Sequence, residues 1–427
     1  MDRREFLKDS LLLSAFGALA PFAKAENQLV LPLTSNLPKD KPVSLTSTSK
    51  VIRRPYRNTE ITVPLLGYGL MRLPRIEPSS PNIDYPAAEK LIERAFQAGV
   101  NYFDTAYVYH SGLSEKFVGD VLSKYPRNSY YLATKMPIRL LRKVEQVELI
   151  FNEQLKRCKT EYFDFYLLHN LNRNRWKTVQ EFKLYEYFRQ KQAEGKIRHL
   201  GFSFHDEPEV LEVIASAYPW DFAQIQLNYL DWEAYRSREQ YEILAKKNIP
   251  AIIMEPLRGG GLASLNQSAT QILKTAEPNA STASWAFRFA GSLPNVLTVL
   301  SGMTYYEHLE DNIKTFSNFR PLSEADRKTL NLALTVYLKP GIIPCTGCQY
   351  CVPCPKGVSI PKIFELYNHA KNTDNFSYLS MGYKELAENQ KASACVNCRL
   401  CVKKCPQKID IPAQLKTVEQ AIKQLGF

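Results

Sequence analysis

Residues 86–136 read PAAEKLIERAFQAGVNYFDTAYVYHSGLSEKFVGDVLSKYPRNSYYLATKM. Two patterns alternate in this stretch. PAAEKLIERAFQAG sets apolar side chains at 88, 91, 92, 95 and 96, one stripe of a helix, and stops at Gly99, a residue type that ends helices. NYFDTA is short and apolar, as a strand buried on both faces is. SEKFVGDVLSKY returns to helical spacing, and YYLATK returns to the strand. Helix and strand alternating over short joints form the unit of a parallel sheet covered by helices.

The unit repeats in both directions. VPLLGYGL upstream, and FDFYLLH, IRHLGFSF, DFAQIQLNY, PAIIMEP and NVLTVLSG downstream, are strand candidates. VEQVELIFNEQLKRC, EFKLYEYFRQKQAEG and REQYEILAKKN are helix candidates, with Gly195 and Asn248 as stops. Eight alternations between Thr62 and Asn318 predict an α/β fold, a closed (β/α)8 TIM barrel. An open doubly wound sheet is the rival, but it usually carries G-x-G-x-x-G after its first strand, and none is present.

In such barrels chemistry gathers where strands end. Successive strands end in FDTAYVYHSG, LATKMP and LLHNL, which sets Asp104, Tyr109, Lys135 and His169 at one mouth. A tyrosine with a reference pKa near 10 is a weak acid at neutral pH. A nearby lysine cation favours the phenolate, an aspartate holds the lysine, and a histidine can steady the charge that develops on a carbonyl oxygen. Together they would serve as proton donor in carbonyl reduction, or as base in the reverse. Taken singly, each has a plainer reading as helix cap, surface charge or packing.

FDTAYVYHSGLSE resembles the aldo-keto reductase family, with Phe-Asp-Thr-Ala, then Tyr, then Ser-Glu at the family spacing. The resemblance covers residues 62–318. It implies Tyr109 as general acid/base, Lys135 as modulator of its pKa, Asp104 as partner of the lysine and His169 as substrate orienter. It also implies a nicotinamide cofactor, NADP or NAD, with Ser203 and Gln224 at its carboxamide. The chain departs from the family at the nicotinamide side. Ser-Asn becomes Ser203-Phe204, and the stacking aromatic becomes Met254. The Lys and Arg that clamp a 2′-phosphate become Gly302 and His308. Gly259, Gly260 and Gly261 read either as a backbone approach to a pyrophosphate or as a flexible loop.

Nine cysteines are present, and eight lie beyond residue 344. Cys158 stands alone in a helical pattern and reads as packing. The eight fall in two runs, Cys345-x2-Cys348-x2-Cys351-x2-Cys354-Pro and Cys395-x2-Cys398-x2-Cys401-x3-Cys405-Pro. The second run matches the bacterial ferredoxin pattern. In that pattern three close cysteines hold one cubane and the fourth reaches the other. One [4Fe–4S] cluster would then take Cys345, Cys348, Cys351 and Cys405, and a second would take Cys395, Cys398, Cys401 and Cys354. The first run departs by one residue before its last Cys. Zinc is the alternative metal, and disulfides of a secreted protein are the alternative to metal. The whole tail resembles the small, mainly helical ferredoxin-type domain fused to some aldo-keto reductases.

The formal net charge is +12. From Lys339 onward twelve Lys/Arg stand against six Asp/Glu, a surplus that offsets the negative charge of cluster thiolates. No basic stripe interleaved with aromatics is present, so nucleic acid is not an expected partner. The chain begins MDRREFLKDSLLLSAFGALAPFAKA: a charged start, an apolar run from Leu11 to Ala23 and a small-x-small site. Arg3-Arg4 with Phe6-Leu7-Lys8 resembles a Tat export signal, with Asp2 where Ser or Thr is commoner. The run falls short of the about 20 residues a permanent span needs. The expectation is an exported, periplasmic protein with no membrane span in the mature chain, the alternative being a cytoplasmic one with a chance Arg-Arg. The predicted plan is a signal over 1–25, a flexible linker over 26–58, a barrel over 59–322 and the iron–sulfur domain over 323–427. Three functions fit it: an oxidoreductase of a small carbonyl or alcohol coupled to the clusters and a redox partner protein, an electron-transfer protein whose barrel does not turn over, and a reductase with a structural metal domain.

Overall fold

The computed structural model describes residues 51–425 apart from 58, 78, 79, 339, 340 and 374. The N-terminal signal and most of the linker stretch lie outside the described residues. Among those described, no helix is long and apolar enough to cross a membrane.

Two short strands, β1 (Arg53–Pro55) and β2 (Thr62–Pro64), pair antiparallel. Eight parallel strands follow: β3 (Leu66–Gly69), β4 (Tyr102–Asp104), β5 (Tyr131–Met136), β6 (Phe163–Leu171), β7 (Ile197–Phe204), β8 (Phe222–Gln226), β9 (Ala251–Met254) and β10 (Val296–Ser301). They close in sequence order, β10 pairing with β3 through Val299–Leu66 and Ser301–Tyr68. The run VPLLGYGL therefore splits at Leu65 between hairpin and barrel. EFKLYEYFRQKQAEG also divides, with one helix ending at Glu181 and the next beginning at Leu184 after Lys183 takes a left-handed φ of 50°.

The interior is packed with side chains. Tyr102, Phe165, Phe222 and Ile252 fill it with Tyr56 and Val63 of the hairpin. The hairpin closes the bottom, so the packed body includes Val51, inside the stretch read as a tether. Val51 and Tyr56 are buried, and Tyr56 donates to the Asp221 carbonyl at 2.9 Å. The other boundary also moves. The helix Glu324–Tyr337 packs against Gln267–Ala276 and buries Leu330 and Ala333 in the barrel's core, so the tail proper starts after it.

The tail builds its own small core from Ile363, Phe364, Leu415 and Val418 on the helices Ile360–Thr373 and Ile411–Gln424. It docks on the mouth of the barrel. Arg72 Nη2, past the end of β3, donates to the Thr346 carbonyl at 2.6 Å. Gln226 at the end of β8 exchanges amide hydrogen bonds with Gln407 at 3.2 and 2.8 Å. Lys408 reaches Asp206 and Glu207, past the end of β7, at 3.1 and 2.7 Å. Each barrel-side contact comes from a strand's C-terminal end, the end that bears the polar residues read from the sequence.

Candidate active site

Strands β4, β5 and β6 deliver Asp104, Lys135 and His169 side by side, because all three are polar residues placed near strand ends. Lys135 Nζ donates to Asp104 Oδ1 at 2.6 Å and to the Thr105 carbonyl at 2.7 Å, both groups buried. Tyr109 follows β4 at the start of a tight turn. His110, Ser111 and Gly112 then take φ of 49°, 55° and 93°, three left-handed residues in succession. Such backbone costs of order 1–3 kcal/mol per non-glycine residue, and it turns the chain from Tyr109 into the helix Leu113–Leu122. Lys135 Nζ lies 4.9 Å from the Tyr109 ring centre, and the Tyr109 and His169 rings meet edge to face at 6.1 Å.

The rest of the motif is a strut behind this group. Ser114 and Thr105 share a hydroxyl hydrogen bond at 2.8 Å. Buried Glu115 accepts from Thr134 and Gln154, each at 2.7 Å, and from Arg157 at 3.3 Å. Gln154 also donates to the Lys135 carbonyl at 3.1 Å, which fixes the strand that carries the lysine.

One cavity of about 490 Å³ gathers Asp104, Tyr109, Lys135, His169, Ser203, Gln224, Met254, Gly302 and His308. Within it Gln224 Oε1 is buried with no hydrogen-bond partner, an acceptor that a carboxamide NH₂ would satisfy. Ser203 Oγ accepts from the Asn170 amide at 2.7 Å and retains its own proton to donate. The residues at the carboxamide end therefore fit a nicotinamide. The phosphate end has been remade. A Cβ at Gly302 would stand 2.9 Å from the Arg72 side chain, which occupies the space a lysine there would need.

The glycine loop has a different neighbour from the pyrophosphate one reading gave it. Gly259 has φ of 71°, and a Cβ there would meet the Thr346 carbonyl oxygen at 2.0 Å, so the backbone approaching the loop is the tail's own.

Electrostatics depart from the sequence expectation at Tyr109. Burial raises its pKa well above the usual phenol value, and Tyr350, Asp104 and Glu255 push the same way. Burial thus keeps Tyr109 a phenol. Burial, Lys135, His205, Arg139 and Arg175 all lower His169, which stays neutral. Burial lowers Lys135 against the pull of Asp104, and burial raises Asp104 against the pull of Lys135. The pair is a desolvated ion pair whose partners depend on each other.

Two residues of this site, Tyr350 and Glu255, escaped the sequence reading, and a third, Cys348, was read only as a cluster ligand. Tyr350, between Cys348 and Cys351, places its hydroxyl 3.5 Å from His169 Nε2. Cys348 lines the same cavity, and Glu255, past β9, lies 3.7 Å from Arg72. A tyrosine inside a cysteine run was the available signal.

No disulfide joins the cysteines. The Cys345, Cys348 and Cys351 thiols are raised by burial, and each is also raised by Cys405 nearby. Cys354, Cys395, Cys398 and Cys401 line a second, separate cavity. Among the described residues no group of three or more His, Cys, Asp or Glu is arranged to hold a single metal ion.

The aldo/keto reductase family model matches residues 65–334. The chain belongs to the aldo/keto reductase family. This aldo/keto reductase is therefore an oxidoreductase, and it carries in addition a match to a 4Fe-4S dicluster domain over residues 344–409. It is similar to the oxidoreductase YqkF of Bacillus subtilis, itself uncharacterized, with 25% identity over 272 residues, 57% of this chain and 86% of the relative. It is 24% identical over 304 residues to L-galactose dehydrogenase of Arabidopsis thaliana, 66% of this chain and 93% of that one. A solved aldo-keto reductase of Bacillus halodurans, in its holo form, matches with a TM-score of 0.56 at 22% identity over 66% of this chain and 96% of its own, a likeness of fold.

Proposed function

We propose that the protein interconverts a carbonyl compound and its alcohol, with Tyr109 moving the proton and two [4Fe–4S] clusters linking the barrel to a one-electron partner. The observation that carries this is the convergence of Tyr109, His169 and the Lys135–Asp104 pair in one cavity. The Tyr109 phenol gives its proton to the carbonyl oxygen. His169, neutral, hydrogen-bonds that oxygen and orients it. Lys135, held by Asp104 and the Thr105 carbonyl, keeps a positive charge against the tyrosine ring.

Gln224 and Ser203 would hold a nicotinamide, which when bound supplies the hydride. Met254 would pack on its ring. Gly302 and His308 offer no bidentate clamp for a 2′-phosphate, so these two positions do not favour NADP over NAD. Cys345, Cys348, Cys351 and Cys405 would ligate one cluster, and Cys354, Cys395, Cys398 and Cys401 the other. Each cluster would pass one electron, so the two together would match the two electrons of one hydride. Cys348 and Tyr350 lie in the same cavity as Tyr109, which supports a short path between the tail and the reacting atoms.

Arg3-Arg4 and the apolar run behind them support export by Tat, a route that carries folded proteins with their cofactors. Outside the cytoplasm a one-electron partner would take the place of soluble cofactor exchange. The changes at Phe204, Met254 and His308 agree with a nicotinamide that is retained rather than exchanged. Tyr109→Phe should lower turnover of a carbonyl substrate by about 10² or more. Unchanged turnover would remove Tyr109 from the mechanism.

A further inference from the structure

A second opening, larger than the cavity itself, runs from the surface to Tyr109 along the seam between barrel and tail. It encloses about 1110 Å³ and reaches Tyr109, Tyr350 and Cys348 at its inner end. The charge of its walls is one-sided. Arg72, Arg75, Lys90, Arg139, Arg157 and Lys404 line it, against a single carboxylate, Asp84. Asp84 is engaged in capping the helix Tyr85–Gln97 through the Ala87 amide. Arg157 is answered by Glu115 and Glu153, and Arg72 by Glu255. Lys90, Arg139 and Lys404 have no carboxylate partner among the described residues.

These cations press on one another. Burial lowers Arg75, with Arg72 adding to the fall, and burial lowers Arg175 and His169, with Arg139 adding to both. A concave surface on which Lys90, Arg139 and Lys404 add unpaired charge to these cations focuses a positive potential where an anionic ligand would sit. Tyr305 and Tyr306, 62% and 52% exposed, stand at the same cleft and offer flat faces to a ring. The volume lies at the upper end of small-molecule sites, more than a short aldehyde fills.

We propose that this cleft is the substrate site and that it selects a carbonyl or alcohol compound of sugar size carrying a carboxylate or a phosphate, with Arg139 as a principal anion contact. The inference rests on the carbonyl–alcohol reading of Tyr109 for its reaction, but not for its binding. Arg139 is exposed, and its guanidinium stands 6.0 Å from the Tyr350 ring centre, beside the group that touches His169.

The test is calorimetric binding of glucuronate, glucose 6-phosphate and glucose to the anaerobically prepared full protein. At least one of the two anions should bind about tenfold or more tighter than glucose, with the gap shrinking as salt is raised. Preference for glucuronate assigns the carboxylate, and preference for glucose 6-phosphate the phosphate. Arg139→Gln should remove most of that preference and leave the weak binding of glucose unchanged. Equal affinity for all three, binding of neither anion, or a preference that survives Arg139→Gln would overturn the proposal. So would an Arg139→Gln variant whose cluster potential shifts while anion binding does not, since the cations would then serve the cluster. Anion preference without turnover of any carbonyl compound would retire the reaction and keep the cleft.

Discussion

Gly259→Ala is a sharp probe of how barrel and tail are joined. Two costs arise at that position. The residue has φ of 71°, where a non-glycine residue is strained by of order 1–2 kcal/mol. The new Cβ would also stand 2.0 Å from the oxygen, 2.5 Å from the carbonyl carbon and 2.7 Å from the Cα of Thr346. These are backbone atoms, which cannot swing aside as a flexible side chain can, and overpacking of this kind costs typically 1–3 kcal/mol. The combined figure is about 3 kcal/mol. The cheapest relief is to lift the Thr346 segment, because Arg72 holds it with one hydrogen bond whereas Gly259 is tied into the β9 loop, its amide donating to Glu255. About 3 kcal/mol corresponds to roughly a hundredfold change in the opening of that segment. Hydrogen exchange of the anaerobically prepared variant should therefore show amides of residues 343–350 losing about a hundredfold in protection. Amides of β4 and β5 should exchange as before. Unchanged protection over 343–350, with or without a fall in overall stability, would show that the strain is absorbed inside the barrel and that Gly259 does not seat the tail.

Four further outcomes follow from the site. Because Tyr109 stays a phenol and His169 stays neutral, carbonyl reduction should be flat between about pH 6 and 9, while alcohol oxidation, which needs the phenolate, should rise about tenfold per pH unit across that range; pH–rate profiles in both directions check this, and an acid limb near pH 6.5 would contradict a neutral His169. Lys135→Met leaves buried Asp104 uncompensated and should cost about 3–5 kcal/mol in denaturant unfolding, much of it recovered in the Lys135→Met/Asp104→Asn double variant. Cys398→Ala should lose about half the iron and the associated broad absorbance while the Tyr350–His169 contact survives, since Cys398 lies at the cavity away from the mouth. Changing Arg3 and Arg4 together to Lys should stop export in cell fractionation, and continued export would end the Tat proposal.

What the sequence made legible follows from what parallel strands require. β3 to β10 are buried on both faces, so they appear as apolar runs, and the polar residues near their ends stand out against them. Asp104, Lys135 and His169 were visible for that reason. The hairpin Val51–Pro64 was not visible, because Arg53, Arg54 and Pro55 look like linker. Their charges are in fact satisfied by backbone carbonyls under the barrel, such as Leu293 O, which Arg54 meets at 2.8 Å. The helix Glu324–Tyr337 gave no sign of which domain it joins, since an amphipathic stripe does not name the surface it covers. The contacts that bind tail to barrel were equally hidden. Thr346 against Gly259 and Tyr350 against His169 link residues far apart in the chain, and neither leaves a local pattern. The rise in the Tyr109 pKa was hidden for the same reason, since its largest cause is burial and Tyr350 of the tail adds to it.

The most direct measurement is anaerobic purification followed by iron and acid-labile sulfide analysis, with EPR spectra before and after addition of NADH or NADPH. The expected result is about eight iron and eight sulfide per chain and a reduced-cluster signal that appears when a nicotinamide donor is added to wild type stripped of any retained nicotinamide. Stoichiometric zinc without sulfide would contradict the clusters, and full clusters that remain oxidised with every nicotinamide donor would contradict the coupling of barrel to tail.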